Sequence, residues 1–357
     1  MTNTTADLLE NISSFNNTNN VNISSYIAEN NSSSNCTTCI DFNDNVSEAL
    51  KSATDNLMII MVLIVMMAMG TDISWNQIWK HLRRPWGVII GVFCHYVVMP
   101  LLAFMYKHIF QLDSEISTGL IIVSCSPGGI LSNIFNYYLD GEVSLSVTIT
   151  AISTTLGLGL MPLNVWIYSR EITAGQIIIS FVNMIISLVT ITSPIFVGML
   201  IRWKFPNISA HITKWGSALG FLLFLIVFIL EMIPFRKVIH EITLKLILTT
   251  ILMPATGIII GYLLGFISRR SRSVCTTIAI ETGIQNVPAA ITVITLSFPV
   301  QEQIKLLLAP CFYLVFQAVI GILMCVIYKI SIKCCKKPGI SRQNINKDVK
   351  HAEKEEI

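Results

Sequence analysis

Long apolar stretches separated by short polar ones run from about residue 55 to residue 330 of the 357-residue chain. They are too long and too poor in charge for soluble core helices. At about 20 residues per membrane crossing, the pattern predicts nine spans, near residues 55–72, 86–106, 117–138, 143–167, 175–200, 217–234, 244–266, 274–297 and 304–328. Residues 1–54 show the opposite pattern. They hold no apolar run of useful length and are dense in Asn, Ser and Thr, a composition that predicts disorder. Residues 331–357 form a short polar tail. The chain thus reads as a tail (1–54), a membrane domain (55–330) and a second tail (331–357).

Composition agrees, with 53% hydrophobic and only 13% charged residues, where a soluble enzyme carries roughly twice that charged fraction. The expected class is an all-α polytopic membrane protein. A net charge of +3 is therefore no sign of nucleic acid, and the basic residues report orientation instead. Connections on one side hold Lys80, Arg83, Arg84, Arg202, Lys204, Lys214, Arg269, Arg270 and Arg272, and with eight more after span 9 that side carries 17; the other side carries five, Lys51, Lys107, Arg170, Arg236 and Lys237. The richer side is expected to be cytoplasmic, which with nine spans puts the N-terminus outside and the C-terminus inside. Eight N-x-S/T acceptors, at Asn3, Asn11, Asn16, Asn22, Asn30, Asn31, Asn35 and Asn45, point the same way, to a glycosylated outer tail. No signal peptide precedes span 1, so span 1 is expected to act as its own insertion signal. Cys36 and Cys39 in "CTTC" suit either a small disulfide or free thiols, and Cys334 and Cys335 are palmitoylation candidates.

Polar residues inside the spans carry the candidate chemistry. "IAIETGIQNVPAA" (278–290) places Glu281 within an apolar run, where an ionised carboxylate costs about 2.5–3.5 kcal/mol even on lenient insertion scales. A Met-Pro pair recurs at 99–100 and 253–254, followed 33 residues after Pro100 by Asn133 in "CSPGGILSN" and 32 after Pro254 by Asn286 in "ETGIQN". Spans 3 and 8 run in opposite directions, so the halves are expected to be inverted-topology repeats with span 5 unpaired, as in secondary transporters. The bland alternative is a chance recurrence in Met-rich helices. Ser126-Pro127-Gly128-Gly129 cannot continue an ordinary helix. The carbonyls it releases, joined by hydroxyl, amide and carboxylate oxygens, would suit a hard monovalent cation. Glu281 and Gln285 stand four apart around Gly283, and Ser146 and Thr150 share a face of span 4. Taken singly, such Ser and Thr residues usually bond a neighbouring turn, and a lone buried Glu can be a protonated donor.

"RRPWGV", "VMPLLAF", "CSPGGILSN", "DGEVSLSVTITAISTTLGLGLMPL" and "ETGIQN", in this order between residues 55 and 330, resemble the sodium/bile acid cotransporter family, in its nine-span animal plasma-membrane branch. The resemblance implies a panel domain beside a core domain with two broken, crossing helices. It implies one sodium site of Ser132, Asn133, Ser146, Thr150 and Glu281, and a second of Glu281, Gln285 and backbone carbonyls. Asn286 and Pro288 would face substrate. Two departures stand out: His95 occupies a position where relatives usually carry Gln, which puts either an imidazole at the second site or a packed histidine donating to a carbonyl of a neighbouring helix, and Val287-Pro288-Ala289-Ala290 replaces a polar run.

The expected function is sodium-coupled symport of amphipathic organic anions, bile acids or sulfated steroids, by alternating access. Sodium ions serve as coupling ions, with no other cofactor. The expected partners are sodium, the anion and membrane lipid, at the plasma membrane. The alternative is a transport-inactive homologue acting as a binding or signalling protein. A membrane protease would need paired intramembrane acids or an H-E-x-x-H helix, and neither is present. Nine spans also argue against a seven-span receptor.

Overall fold

The computed structural model describes residues 53–173, 181–235 and 242–335. All eight acceptor asparagines, Cys36 and Cys39 lie outside the described residues. The helices are α1 (Ala53–Asp72), α2 (Trp75–Leu82), α3 (Trp86–Phe110), α4 (Ser114–Ser124), α5 (Ile130–Tyr138) and α6 (Val143–Thr173). They continue as α7 (Phe181–Lys204), α8 (Pro206–Phe235), α9 (Leu244–Ile267), α10 (Arg272–Gly283), α11 (Val287–Ser297) and α12 (Val300–Cys335). Among the described residues six helices, α1, α3, α6, α7, α9 and α12, are long and apolar enough to cross a membrane. The chain is an all-helical, multi-pass membrane protein.

The largest departure from the hydropathy reading among the described residues is the start of α8. The helix expected from 217 begins at Pro206, eleven residues earlier. Its first turns, "PNISAHITKWG", are amphipathic, so no apolar window marks them. Proline is at home in a first turn, and Thr213 Oγ1 donates back to the Ser209 carbonyl at 3.0 Å. The expected start of the next span, near residue 175, lies outside the described residues, and α7 is described from Phe181.

Within α3, residues Cys94–Val98 form a π-turn just before Pro100. Pro100 has no N–H to offer the carbonyl four residues back, that of Tyr96. Asn164 on α6 supplies the missing donor, Nδ2 to the Tyr96 oxygen at 3.0 Å. This local defect is what holds His95, on the π-turn, in the interior with no exposure.

Helices α1, α7 and α8 approach one another through glycines. A Cβ on Gly70 would collide with the Ile195 backbone oxygen, and one on Gly198 would come within 2.5 Å of the Met67 oxygen. Gly216 and Gly220 of α8 sit against Ala68 and Val65 of α1. Small residues let membrane helices approach backbone to backbone, which gains dispersion contact in a solvent offering no hydrophobic drive.

Candidate ion and substrate site

Helix α4 stops at Ser124 and α5 starts at Ile130; α10 stops at Gly283 and α11 starts at Val287. The two non-helical connections lie against each other. Gly128 and Gln285 form an antiparallel bridge, and the Asn286 N–H donates to the Pro127 carbonyl at 2.9 Å. Glycine is needed for this approach. A Cβ on Gly128 would collide with the Glu281 carboxylate and lie 3.0 Å from Thr150 Oγ1, and one on Gly129 would lie 3.2 Å from the Asn286 Cα. The Asn286 side chain caps α11 by accepting from the Ala289 N–H at 3.2 Å.

Helix α12 covers the backbone groups left open at the second connection. Gln317 Oε1 accepts from the Gln285 N–H at 2.9 Å, Gln317 Nε2 donates to the Gln285 carbonyl at 3.3 Å, and the Tyr313 hydroxyl donates to the Gly283 carbonyl at 2.9 Å. Gln317 is fully buried. Gln317→Ala strands the buried Gln285 N–H at about 1–3 kcal/mol, while the Gln285 carbonyl keeps the Val287 N–H at 3.0 Å, so a drop in melting temperature of a few degrees is expected. An unchanged melting curve would show that water takes the amide's place.

Glu281 has no exposed surface, nor do Ser132, Ser146, Thr150 and His95. Its Oε1 receives Ser132 Oγ at 2.6 Å and Ser146 Oγ at 2.5 Å, and its Oε2 receives Thr150 Oγ1 at 3.0 Å. Among the described residues the one basic side chain within ion-pair distance is His95, with Nε2 at 3.8 Å from Oε2. Neither ring nitrogen of His95 has a hydrogen-bond partner.

Hydrogens are in short supply in this cluster. Ser132 has one hydroxyl hydrogen for two acceptors, the Gly129 carbonyl and Glu281 Oε1, both at 2.6 Å. Ser146 has one for Asn133 Oδ1 at 2.6 Å and Glu281 Oε1 at 2.5 Å. Turning the Asn133 amide over would cure the second shortage but not the first. Asn136 donates to Ser146 Oγ at 2.9 Å and to the Ser132 carbonyl at 3.0 Å, while its own Oδ1 has no partner. Buried oxygens thus crowd around the Glu281 carboxylate with too few hydrogens to satisfy them all, a shortage that either a bound cation or a proton on Glu281 would relieve. The groups gathered around Glu281 are mostly hard oxygens, from hydroxyls, an amide and the Gly129 carbonyl.

The structure brings Ser132, Asn133, Ser146, Thr150, His95 and Glu281 together. Gln285 does not join them. Because α10 ends at Gly283, Gln285 leaves the helical face, and its Nε2 turns back to the Thr282 carbonyl at 2.9 Å while its Oε1 has no hydrogen-bond partner. Gln285, Asn286 and Pro288 share a second setting. With Met61, Met66 and Met69 of α1, Ile130 and Ile134 of α5, and Leu314 of α12 they line a cavity of about 150 Å³.

Comparison with known proteins bears on what this site serves. Residues 59–242 match the Sodium Bile acid symporter family. The sodium-dependent organic anion transporter of Homo sapiens is 32% identical over 271 residues, covering 76% of this chain and 72% of that protein. The ileal sodium/bile acid cotransporter of Homo sapiens is 31% identical over 297 residues, 83% of this chain and 85% of that one. The hepatic sodium/bile acid cotransporter of Rattus norvegicus is 32% identical over 284 residues, 79% and 78%.

The chain belongs to the sodium bile acid symporter family.

That family consists of sodium-coupled transporters, not enzymes. The matched residues 59–242 include His95, Ser132, Asn133, Ser146 and Thr150. Sequence reasoning had passed over Asn136, Gln317, Tyr313 and Asn164. Gln317 had a usable signal, a lone amide in the apolar run of the last span. Asn136 had a weaker one, four residues after Ser132 on the same helical face.

Proposed function

We propose that this chain is a sodium-coupled symporter of amphipathic organic anions, bile acids or sulfated steroids, that works by alternating access. The observation that carries the reading is the hydrogen-poor oxygen cluster around the buried Glu281. A sodium ion there would replace the missing hydrogens and let the carboxylate stay ionised at depth. Ser132, Asn133, Ser146, Thr150 and Glu281 would hold it, and Glu281 with the free Gln285 oxygen, backbone carbonyls and His95 would border a second ion.

In this reading the membrane is crossed nine times, with α4–α5 and α10–α11 each making one broken crossing, and the two halves form an inverted repeat. The glycine-joined helices α1, α7 and α8 act as a panel and the rest as a core. The cavity at Asn286 and Pro288 lies between α1 and α8 on one side and α5, the second connection and α12 on the other. At about 150 Å³ it is smaller than the 300–1,000 Å³ of sites that hold drug-sized ligands. Substrate therefore requires the panel to move away from the core. Its apolar, methionine-rich wall suits a steroid body, since methionine adapts to irregular shapes. Each charge moved inward gains about 2.3 kcal/mol per 100 mV, and each tenfold sodium gradient adds about 1.4 kcal/mol per ion.

The deciding experiment is uptake of labelled taurocholate and of a steroid sulfate by expressing cells, with sodium or choline outside. Uptake of either that needs sodium supports the reading. Absence of both, with the protein at the surface, would assign it to a binding or signalling role. Orientation is tested separately: N-glycosidase should increase gel mobility, and a C-terminal epitope should label only after permeabilisation.

His95 gives a further prediction. Its imidazole sits beside the carboxylate without a hydrogen bond and must keep one nitrogen protonated, whereas a glutamine can turn an oxygen toward an ion. His95→Gln is expected to lower the sodium concentration for half-maximal uptake and to steepen the sodium response. A changed surface level with an unchanged sodium curve would remove His95 from the site.

A further inference from the structure

A second cavity, away from Glu281, lies at the end of the bundle that carries α2. It measures about 740 Å³, and Lys80, Arg83, Arg84 and Arg270 line it over an apolar floor of Gly87, Leu145 and Val274. The one carboxylate in the lining is Glu142, 3.7 Å from His81 Nε2. Burial pushes the His81 imidazole below its ordinary range, with Glu142 opposing, so at neutral pH it adds no charge. Among the described residues none of the four cations has a carboxylate within ion-pair distance. The Arg83 guanidinium lies 5.9 Å from the Trp79 ring centroid, and Arg270 Nε donates to the Ser268 carbonyl at 2.9 Å, which leaves its terminal nitrogens for another acceptor.

The setting is a membrane surface. Helix α2, Trp75–Leu82, is too short and polar to cross, and it is tethered closely between the long apolar helices α1 and α3. It buries Ile78 and His81 and exposes Trp75 and Trp79 at 59% and 61%, with Trp86 beside them at 59%. Tryptophans exposed at the end of a bundle, interleaved with Lys and Arg, are the pattern of a helix lying at headgroup depth. Four cations without a carboxylate partner among the described residues, in a cavity wide enough for a sugar ring, suit several phosphates better than one.

We propose that this cleft binds the polyphosphorylated headgroup of an anionic membrane lipid. The inference rests on the membrane location and on the Lys/Arg-rich side being cytoplasmic, where such lipids lie, and not on the transport reading. Its reach is wider than the cleft, because the lining comes from α2 and from the ends of α3, α6 and α10, the last three being the helices that present His95, Ser146, Thr150 and Glu281. A bound headgroup would tie those ends together.

The test uses the purified full-length protein in detergent and short-chain phosphatidylinositol 4,5-bisphosphate, with short-chain phosphatidylcholine and inositol hexakisphosphate as comparison probes. Saturable binding of the phosphoinositide and none of phosphatidylcholine is expected. Neutralising Lys80, Arg84 or Arg270 to Gln should weaken it by about fivefold each, the equivalent of ~1 kcal/mol per cation. Phosphoinositide should also protect Lys80 of the unmutated protein from acylation, a readout that does not depend on how a variant folds. A triple variant that binds like the unmutated protein, or Lys80 labelled equally with and without lipid, would overturn the site. Inositol hexakisphosphate binding as tightly as the lipid would overturn the lipid as its source and assign a soluble anion.

Discussion

Glu281→Gln is expected to abolish sodium-dependent uptake while the protein still reaches the cell surface. The substitution keeps the volume and one oxygen, so packing around Ser132, Ser146 and Thr150 survives. It removes the charge and brings two amide hydrogens into a cluster that lacks them. The oxygens are then satisfied without a cation. Truncating one partner of a buried, hydrogen-bonded charge pair costs about 2–5 kcal/mol, so sodium affinity should fall by on the order of a hundredfold or more. A thermal scan separates this from misfolding. The unmutated protein should gain stability with sodium, by about 2.7 kcal/mol at a hundredfold excess over Kd, and the variant should not, even where its sodium-free melting temperature is equal or higher. Asn133→Ala and Ser146→Ala should raise the sodium concentration for half-maximal uptake more than they lower the maximum. Near-normal uptake by a well-expressed Glu281→Gln protein would sink the assignment.

Gly128→Ala is expected to be nearly as damaging, although it adds one methyl group and touches no charge. The new Cβ would occupy the space of the Glu281 carboxylate, 3.0 Å from Thr150 Oγ1. Neither neighbour can easily yield, since Glu281 is held by three hydroxyls and Gly128 by its bridge to Gln285. Overpacking of this kind costs about 1–3 kcal/mol. Because the strain falls on the carboxylate, the sodium response should suffer before the fold does. The measurements are sodium activation of uptake and sodium-dependent thermal stabilisation, compared with Gly159→Ala, where a Cβ meets nothing within 4 Å. Equal behaviour of the two variants would show that the close contact is not needed.

Much of this molecule was legible in the chain because a bilayer makes burial and sequence nearly the same signal. Charge-free runs of about 20 residues mark helices, and Glu281 stands out among them because its environment makes it costly. What brings Glu281 to Ser132, Ser146 and Thr150 is contact between residues 131–149 positions apart, for which local pattern offers no rule. The direction of the Gln285 side chain was unreadable for a related reason. A four-residue offset implies a shared face only while the helix lasts, and this one ends at Gly283. The early start of α8 was hidden because hydropathy detects apolar runs and not amphipathic turns. The role of Asn164 follows from Pro100 only once α6 is known to pass beside α3.

The backbone bond from Asn286 to Pro127 has a consequence for affinity. The connection that carries Asn286 toward the apolar cavity is fastened to the connection that leads into Ser132, so order gained on one side is order gained on the other. On the proposed function, binding at these two places would obey reciprocity: whatever factor sodium added to the affinity for the organic anion, the anion would add to the affinity for sodium. With that factor above one, the half-loaded state would be the weakly held one in either order of loading.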